Sequence, residues 1–144
     1  MLVRQILGMK GGTEVVTIAA GVPVSEAARL LSERRIGAVV VTDGDAPVGI
    51  LSERDIVREL GRRGDACLRD SVDDLMTRKL ISCAPDDTAD HVLATMTEGR
   101  FRHLPVIEAD RMIGLISIGD LNAELQAEQE QTLFLLTEYI NGRV

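Results

Sequence analysis

With 144 residues, 45% of them hydrophobic and 27% charged, the chain has the length and composition to bury about 70% of its unfolded surface, which excludes a disordered chain or a stapled miniprotein. A net charge of −7 opposes attraction to nucleic-acid backbones and anionic lipid, and three aromatic residues (Phe101, Phe134, Tyr139) cannot make a base-stacking platform. No apolar run approaches the ~18 residues of a membrane span and no leader pattern opens the chain, so a cytoplasmic, non-membrane protein is expected.

Val3, Ile6, Leu7 and Met9 trace a short leading helix that should break at Gly11-Gly12. The β-branched stretch 14–18 reads as a strand. After Gly21-Val22-Pro23, Ser25 is placed to cap a helix reaching about Arg35, with Ala27, Ala28, Leu31 and Ile36 on its apolar face. Ala38 to Val41 and Pro47 to Leu51 flank Asp43-Gly44-Asp45 as a hairpin. Ser52 should cap the next helix, 53–60, which Gly61 should stop; 64–71 reads as a connection carrying Cys67, and 71–76 as one capped turn.

The pattern then returns. Residues 80–83 take the first strand's place, Pro85-Asp86-Asp87-Thr88 the turn, and Ala89, Val92, Leu93 and Met96 the helix face. Leu104 to Ile107 and Met112 to Ile116 form a second hairpin. Ungapped comparison of 17–56 with 82–121 gives eight identities in forty pairs, and Gly49-Ile50-Leu51-Ser52-x-x-Asp55 recurs as Gly114-Leu115-Ile116-Ser117-x-x-Asp120. A repeat of this kind decides the architecture: two β-α-β-β-α units. Beyond Asp120 a helix continues to Asn141-Gly142, and Leu133, Phe134, Leu136, Tyr139 and Ile140 must bury against their own module or a second chain.

Paired units ending in Gly-apolar-apolar-Ser-x-x-Asp, with Arg100-Phe101-Arg102-His103-Leu104-Pro105-Val106 before the second hairpin, resemble the CBS-domain pair, or Bateman module, and in particular small stand-alone bacterial CBS-pair proteins. The resemblance implies an α+β fold of two pseudo-symmetric units, 5–63 and 72–128, packed sheet to sheet, with a helical tail at 129–144. It further implies a regulatory module that binds an adenine nucleotide (AMP, ADP, ATP or NAD) in clefts between the units, as a homodimer that signals to an unidentified effector protein.

Carried over by position, the resemblance implies that Asp55 and Asp120 hold ribose hydroxyls, with Ser52 and Ser117 beside the ribose or phosphate. Thr17 or Ser82, with the strand starts Gly37-Ala38-Val39 or His103-Leu104-Pro105, would lie near the adenine. Arg35, Arg54, Arg100, Arg102 and His103 would meet phosphates. The chemistry suits these roles: a carboxylate accepts from two vicinal hydroxyls, a helix N-terminus tolerates an anion, and Arg forks match phosphate oxygens. The second half, with Arg102-His103 where the first has Gly37-Ala38, should be the better phosphate site.

Plainer roles fit the same residues. Asp55 and Asp120 suit the first turn of a helix, Ser52 and Ser117 are caps on either reading, Arg34 and Arg35 suit a charged helix end, and His103 fits a structural histidine equally well. Met9, Met76, Met96 and Met112 read as core, and the two cysteines as reduced and structural. No motif supports nucleophilic or metal-assisted catalysis, so no enzyme, catalytic cofactor or metal site is expected.

Overall fold

The computed structural model describes residues 1–9, 15–78 and 81–142. Gly11-Gly12, the start of the first expected strand and Leu80 lie outside the described residues, as do the last two positions of the expected tail. The chain divides into two compact units, Glu14–Ile81 and Met1–Thr13 with Ser82–Val144.

In the Glu14–Ile81 unit, β1 (Thr17–Ala19) runs parallel to β2 (Ala38–Asp43), and β2 pairs antiparallel with β3 (Ala46–Ser52). Helix α2 (Val24–Arg34) joins β1 to β2, and α3 (Glu53–Arg63) follows β3 directly. Val24, Ala27 and Leu31 of α2 meet Val39, Val41 and Leu51 of the sheet and Ile56 of α3 in one aliphatic core. The core is closed by Val72 and Met76 from the short α4 (Val72–Leu75) and the residue after it.

The other unit repeats the plan with α5 (Ala89–Gly99), β4 (His103–Glu108), β5 (Arg111–Ser117) and α6 (Ile118–Ile140). Its leading element is α1 (Val3–Met9), tied in through Val3 N–H to the Asp87 carbonyl and Arg4 N–H to the Pro85 carbonyl, 2.9 Å each. Thus the helix that opens the first sequence repeat packs with the second repeat's elements, and α4, which opens the second, packs with the first's. The repeats at 5–63 and 72–128 are sequence units; the compact units exchange their leading segments.

Duplication extends to the strand register. Ile18 opposes Val41 as Cys83 opposes Val106, and Ala38 opposes Ser52 as His103 opposes Ser117. The bulge after Val41 recurs after Val106. Each motif glycine is required by a close approach: a Cβ on Gly49 would lie 2.7 Å from Met76 Cγ and 3.0 Å from the Thr77 carbonyl, and one on Gly114 would lie 2.9 Å from Leu7 Cδ2. Met76 and Leu7 belong to the exchanged segments, so the glycine that opens the motif is where the leading segment crosses the sheet.

Four expectations are corrected. Helix α2 begins after Pro23, not at a Ser25 cap, because its first N–H (Val24) donates to the Asp70 carbonyl at 2.8 Å and leaves Ser25 exposed within the first turn. Helix α3 passes through Gly61 to Arg63, held by Glu59 to Arg62 and Arg63, and stops at Gly64, whose φ is 73°. Residues 64–69 form a 3-10 helix rather than a bare connection, seating buried Cys67. The second unit's first strand shrinks to a bridge at Cys83: where Ala20 N–H donates to Thr42, the matching Pro85 has no N–H, and Ala84 N–H is taken by Asp87 Oδ2 at 2.8 Å. Both cysteines are free and buried, and burial, with Asp87 nearby, pushes the Cys83 thiol up to about 11.

Candidate functional site

Parallel β1 and antiparallel β3 bring three pieces to one end of their sheet: the start of the first strand, the start of the second, and the junction where the third strand becomes a helix. In the Glu14–Ile81 unit these are Thr17, Ala38 and Ser52, with Thr17 opposite Val40 and Ala38 opposite Ser52. The Gly37 carbonyl accepts from Glu53 N–H at 2.9 Å. Its counterpart, the Arg102 carbonyl, accepts from Ile118 N–H at 2.8 Å. Each strand start is thereby fastened to the first turn of the helix that carries the motif aspartate.

Both motifs close as capping boxes. Asp55 Oδ2 accepts from Ser52 N–H and Ser52 Oγ–H, each at 2.9 Å, and Ser52 Oγ accepts from Asp55 N–H at 3.2 Å. Asp120 Oδ2 accepts from Ser117 N–H, and Ser117 Oγ from Asp120 N–H, both at 3.0 Å. One oxygen of each aspartate is therefore committed to its own helix, while the Asp55 side chain keeps 15% exposure with Arg58 3.6 Å from Oδ1. The carboxylate is oriented by the cap, and an oriented anion at a helix start can present a second oxygen outward.

The remaining expected residues divide by exposure. Thr17, Arg35, Arg54, Ser82, Arg100 and Arg102 are exposed, and Gly37 and His103 are half-buried. Ala38, Val39, Leu104 and Pro105 are buried, so they offer backbone and wall rather than functional side chains. Among the described residues, Arg29, Arg58, Arg62 and Arg63 are engaged by neighbouring carboxylates, whereas Arg35, Arg54, Arg100 and Arg102 have no such ion pair. Arg54 also lines a shallow hollow of about 400 Å³ on α3 with Glu53, Val57 and Arg58.

One relation went unread in the sequence. Arg35 and Arg100 both sit in the left-handed region, at φ 54° and 59°, as the residues that end α2 and α5. That conformation costs a non-glycine residue about 1 kcal/mol or more, yet arginine occupies both places. The signal was available, since Arg35 and Arg100 are one of the eight identities between the halves. The described residues hold no cluster of His, Cys, Asp and Glu suited to a metal, and no described helix is long and apolar enough to cross a membrane.

The family model for the CBS domain matches residues 3–62 and 72–127. The chain is 35% identical over 124 residues to the CBS domain-containing protein CBSX3, mitochondrial, of Arabidopsis thaliana, covering 83% of this chain and 60% of that protein. It spans only 20% and 19% of two longer Arabidopsis relatives, CBSCBSPB2 and CBSCBSPB3. Among solved structures, a CBS-domain containing protein of Agrobacterium tumefaciens superposes with a TM-score of 0.82 at 42% identity, covering 86% of this chain and 98% of that one. A CBS domain protein of Pyrobaculum aerophilum, complexed with AMP, superposes at 0.72 with 25% identity, covering 83% and 89%. With its duplicated motif, matched registers and paired capping boxes, the chain belongs to the CBS-domain family.

Proposed function

We propose that this chain is a regulatory module that binds an adenosine-containing nucleotide (AMP, ADP, ATP or NAD) and passes occupancy to an effector protein by a change of conformation, without turning the ligand over. The carrying observation is the duplicated sheet end, where an Asp oriented by its Ser cap stands beside a strand start fixed by a carbonyl bond to the same helix turn. Asp55 and Asp120 take ribose hydroxyls, Thr17 and Ser82 face the base with the Ala38-Val39 and Leu104-Pro105 backbone, and Arg35, Arg54, Arg100 and Arg102 meet phosphate. The AMP complex of the Pyrobaculum relative supports an adenosine ligand. On this reading the protein is cytoplasmic and the unit that binds nucleotide is a homodimer.

Titration calorimetry with AMP, ATP, NAD and S-adenosylmethionine tests the proposal. Binding of at least one is expected, with Asp120→Ala losing more affinity than Asp55→Ala because Arg102 and His103 flank the second half-site. Silence from all four at millimolar concentration refutes the ligand class, and equal or reversed losses refute the ranking. A second reading, a ligand-independent interaction module, draws on the same capping boxes, since the two aspartates already serve the folded chain without any ligand.

A further inference from the structure

The last turns of α6 carry Leu133, Phe134, Leu135, Leu136, Tyr139 and Ile140, each between 53% and 79% exposed. The sequence left two ways to bury this segment, and its own unit does not cover it. It also lies beyond residue 127, where the family match ends, so the shared domain does not account for it. Four consecutive apolar residues at about 100° per residue occupy every side of the helix. A helix that is apolar all round is made to be enclosed.

The charges narrow the choice of occupant. From Ile118 to Ile140 the helix holds Asp120, Glu124, Glu128, Glu130 and Glu138, with no Lys or Arg. Such a helix lacks the basic face that draws amphipathic helices onto anionic lipid. The six exposed side chains offer on the order of 700 Å² of apolar surface, close to the ~800 Å² per partner of a standard interface. A single partner helix would cover about half of it, below the ~1,000 Å² total that a specific interface needs. Enclosure by more than one neighbouring helix is therefore required. Parallel neighbours would set Glu124, Glu128 and Glu130 of each copy side by side. Antiparallel neighbours overlapping at 133–140 carry those three acids to opposite ends, where repulsion is least, and leave Glu138 as the one acid inside the overlap.

We propose that residues 133–140 pack against the same segment of other copies of this chain, as an antiparallel bundle of more than two helices that assembles the protein beyond a dimer. The inference goes beyond the nucleotide reading and does not depend on it.

Sedimentation equilibrium and light scattering on the full chain test the proposal, alongside Leu133→Glu, Leu136→Glu and the double variant. All these positions are more than half exposed, so the units should keep their circular dichroism spectrum. Expected is a mass of about four times the 15.6 kDa chain for the native sequence, falling at least twofold in the double variant. Oxidation of Thr137→Cys, near the centre of the overlap, should give a cross-linked dimer, and Gln126→Cys should not. The buried native Cys67 and Cys83 leave this readout clean. A native mass of one or two chains, a mass unchanged by the double variant, or cross-linking at 126 as efficient as at 137 overturns the proposal. So does recruitment of the native chain to phosphatidylcholine vesicles that the double variant loses. Parallel AMP titrations of the double variant keep failure here separate from failure of the nucleotide reading.

Discussion

Replacing Asp55 by alanine removes two things at once, and the chain contains its own control for separating them. In the folded state Asp55 Oδ2 accepts two bonds from Ser52 and lies in the first turn of α3. Each such bond contributes a net ~0.5–1.5 kcal/mol and the dipole term ~0.3–1 kcal/mol. The contact with Arg58, at 3.6 Å on an exposed side chain, adds little. Allowing for overlap between these terms, Asp55→Ala should cost about 1–2 kcal/mol, a fall in melting temperature of roughly 3–8 °C. Losing a charged acceptor for ribose hydroxyls should separately cost ~1.5–3 kcal/mol of binding, or about 10- to 150-fold in affinity. The control is Asp74, which closes a third capping box with Ser71 outside the repeated motif. Asp74→Ala should lower the melting temperature, by less because its bond to Ser71 N–H is 3.3 Å long, and leave nucleotide affinity unchanged. Calorimetric melts and AMP titrations of Asp55→Ala, Asp120→Ala and Asp74→Ala form the experiment. If the two motif variants bind as Asp74→Ala does, the carboxylates are caps and nothing more. If Asp55→Ala melts with the native protein, the capping argument itself fails.

Gly49→Ala should destabilise by about 1–3 kcal/mol in urea unfolding, because its Cβ meets Met76 and the Thr77 carbonyl; adding Met76→Ala should cost less than the sum of the two single changes, and strict additivity would refute the contact. Ala109→Gly should stabilise by about 0.5–1 kcal/mol in thermal melts, since Ala109 turns the second hairpin at φ 51°; no gain would mean the turn is not strained. Asp73 is held below the usual carboxylate range chiefly by the Gly21 N–H, 2.8 Å from Oδ1, and then by Ser71. Its lowered folded pKa means that its stabilising contribution is present above about pH 4 and lost as pH falls through the folded value. Asp73→Asn should therefore flatten the acid limb of stability against pH, and an unchanged limb assigns that limb to other groups.

The hairpins were legible because their evidence is local: an apolar run, a turn with left-handed residues, a second run, and a serine three residues before an acid. Duplication made them firmer, since each half predicted the other. What escaped the sequence depended on partners far along the chain. The start of α2 was misplaced because the acceptor for Val24 N–H is the Asp70 carbonyl, 46 residues away, and no local pattern announces it. The exchange of leading segments was hidden likewise, since α1 and α4 look like openings of the repeats they precede; where they go is shown by partners distant in sequence, among them Met76 against Gly49 and Leu7 against Gly114.

The candidate site divides the same way. Ser52, Asp55, Ser117 and Asp120 stood out by spacing, and their capping boxes explain that spacing without any ligand, so spacing alone cannot argue for binding. Arg35 and Arg100 carry the stronger argument. A left-handed position at the end of a helix is where glycine is commonest and least strained, and both halves of this chain place arginine there. What local folding gains from that choice is the contact of a cation with the C-terminal end of a helix, about 0.3–1 kcal/mol, which does not exceed the backbone strain. On the proposed reading, a basic side chain placed twice at a strained backbone position, beside the start of the second strand, is there to reach the phosphate of the ligand.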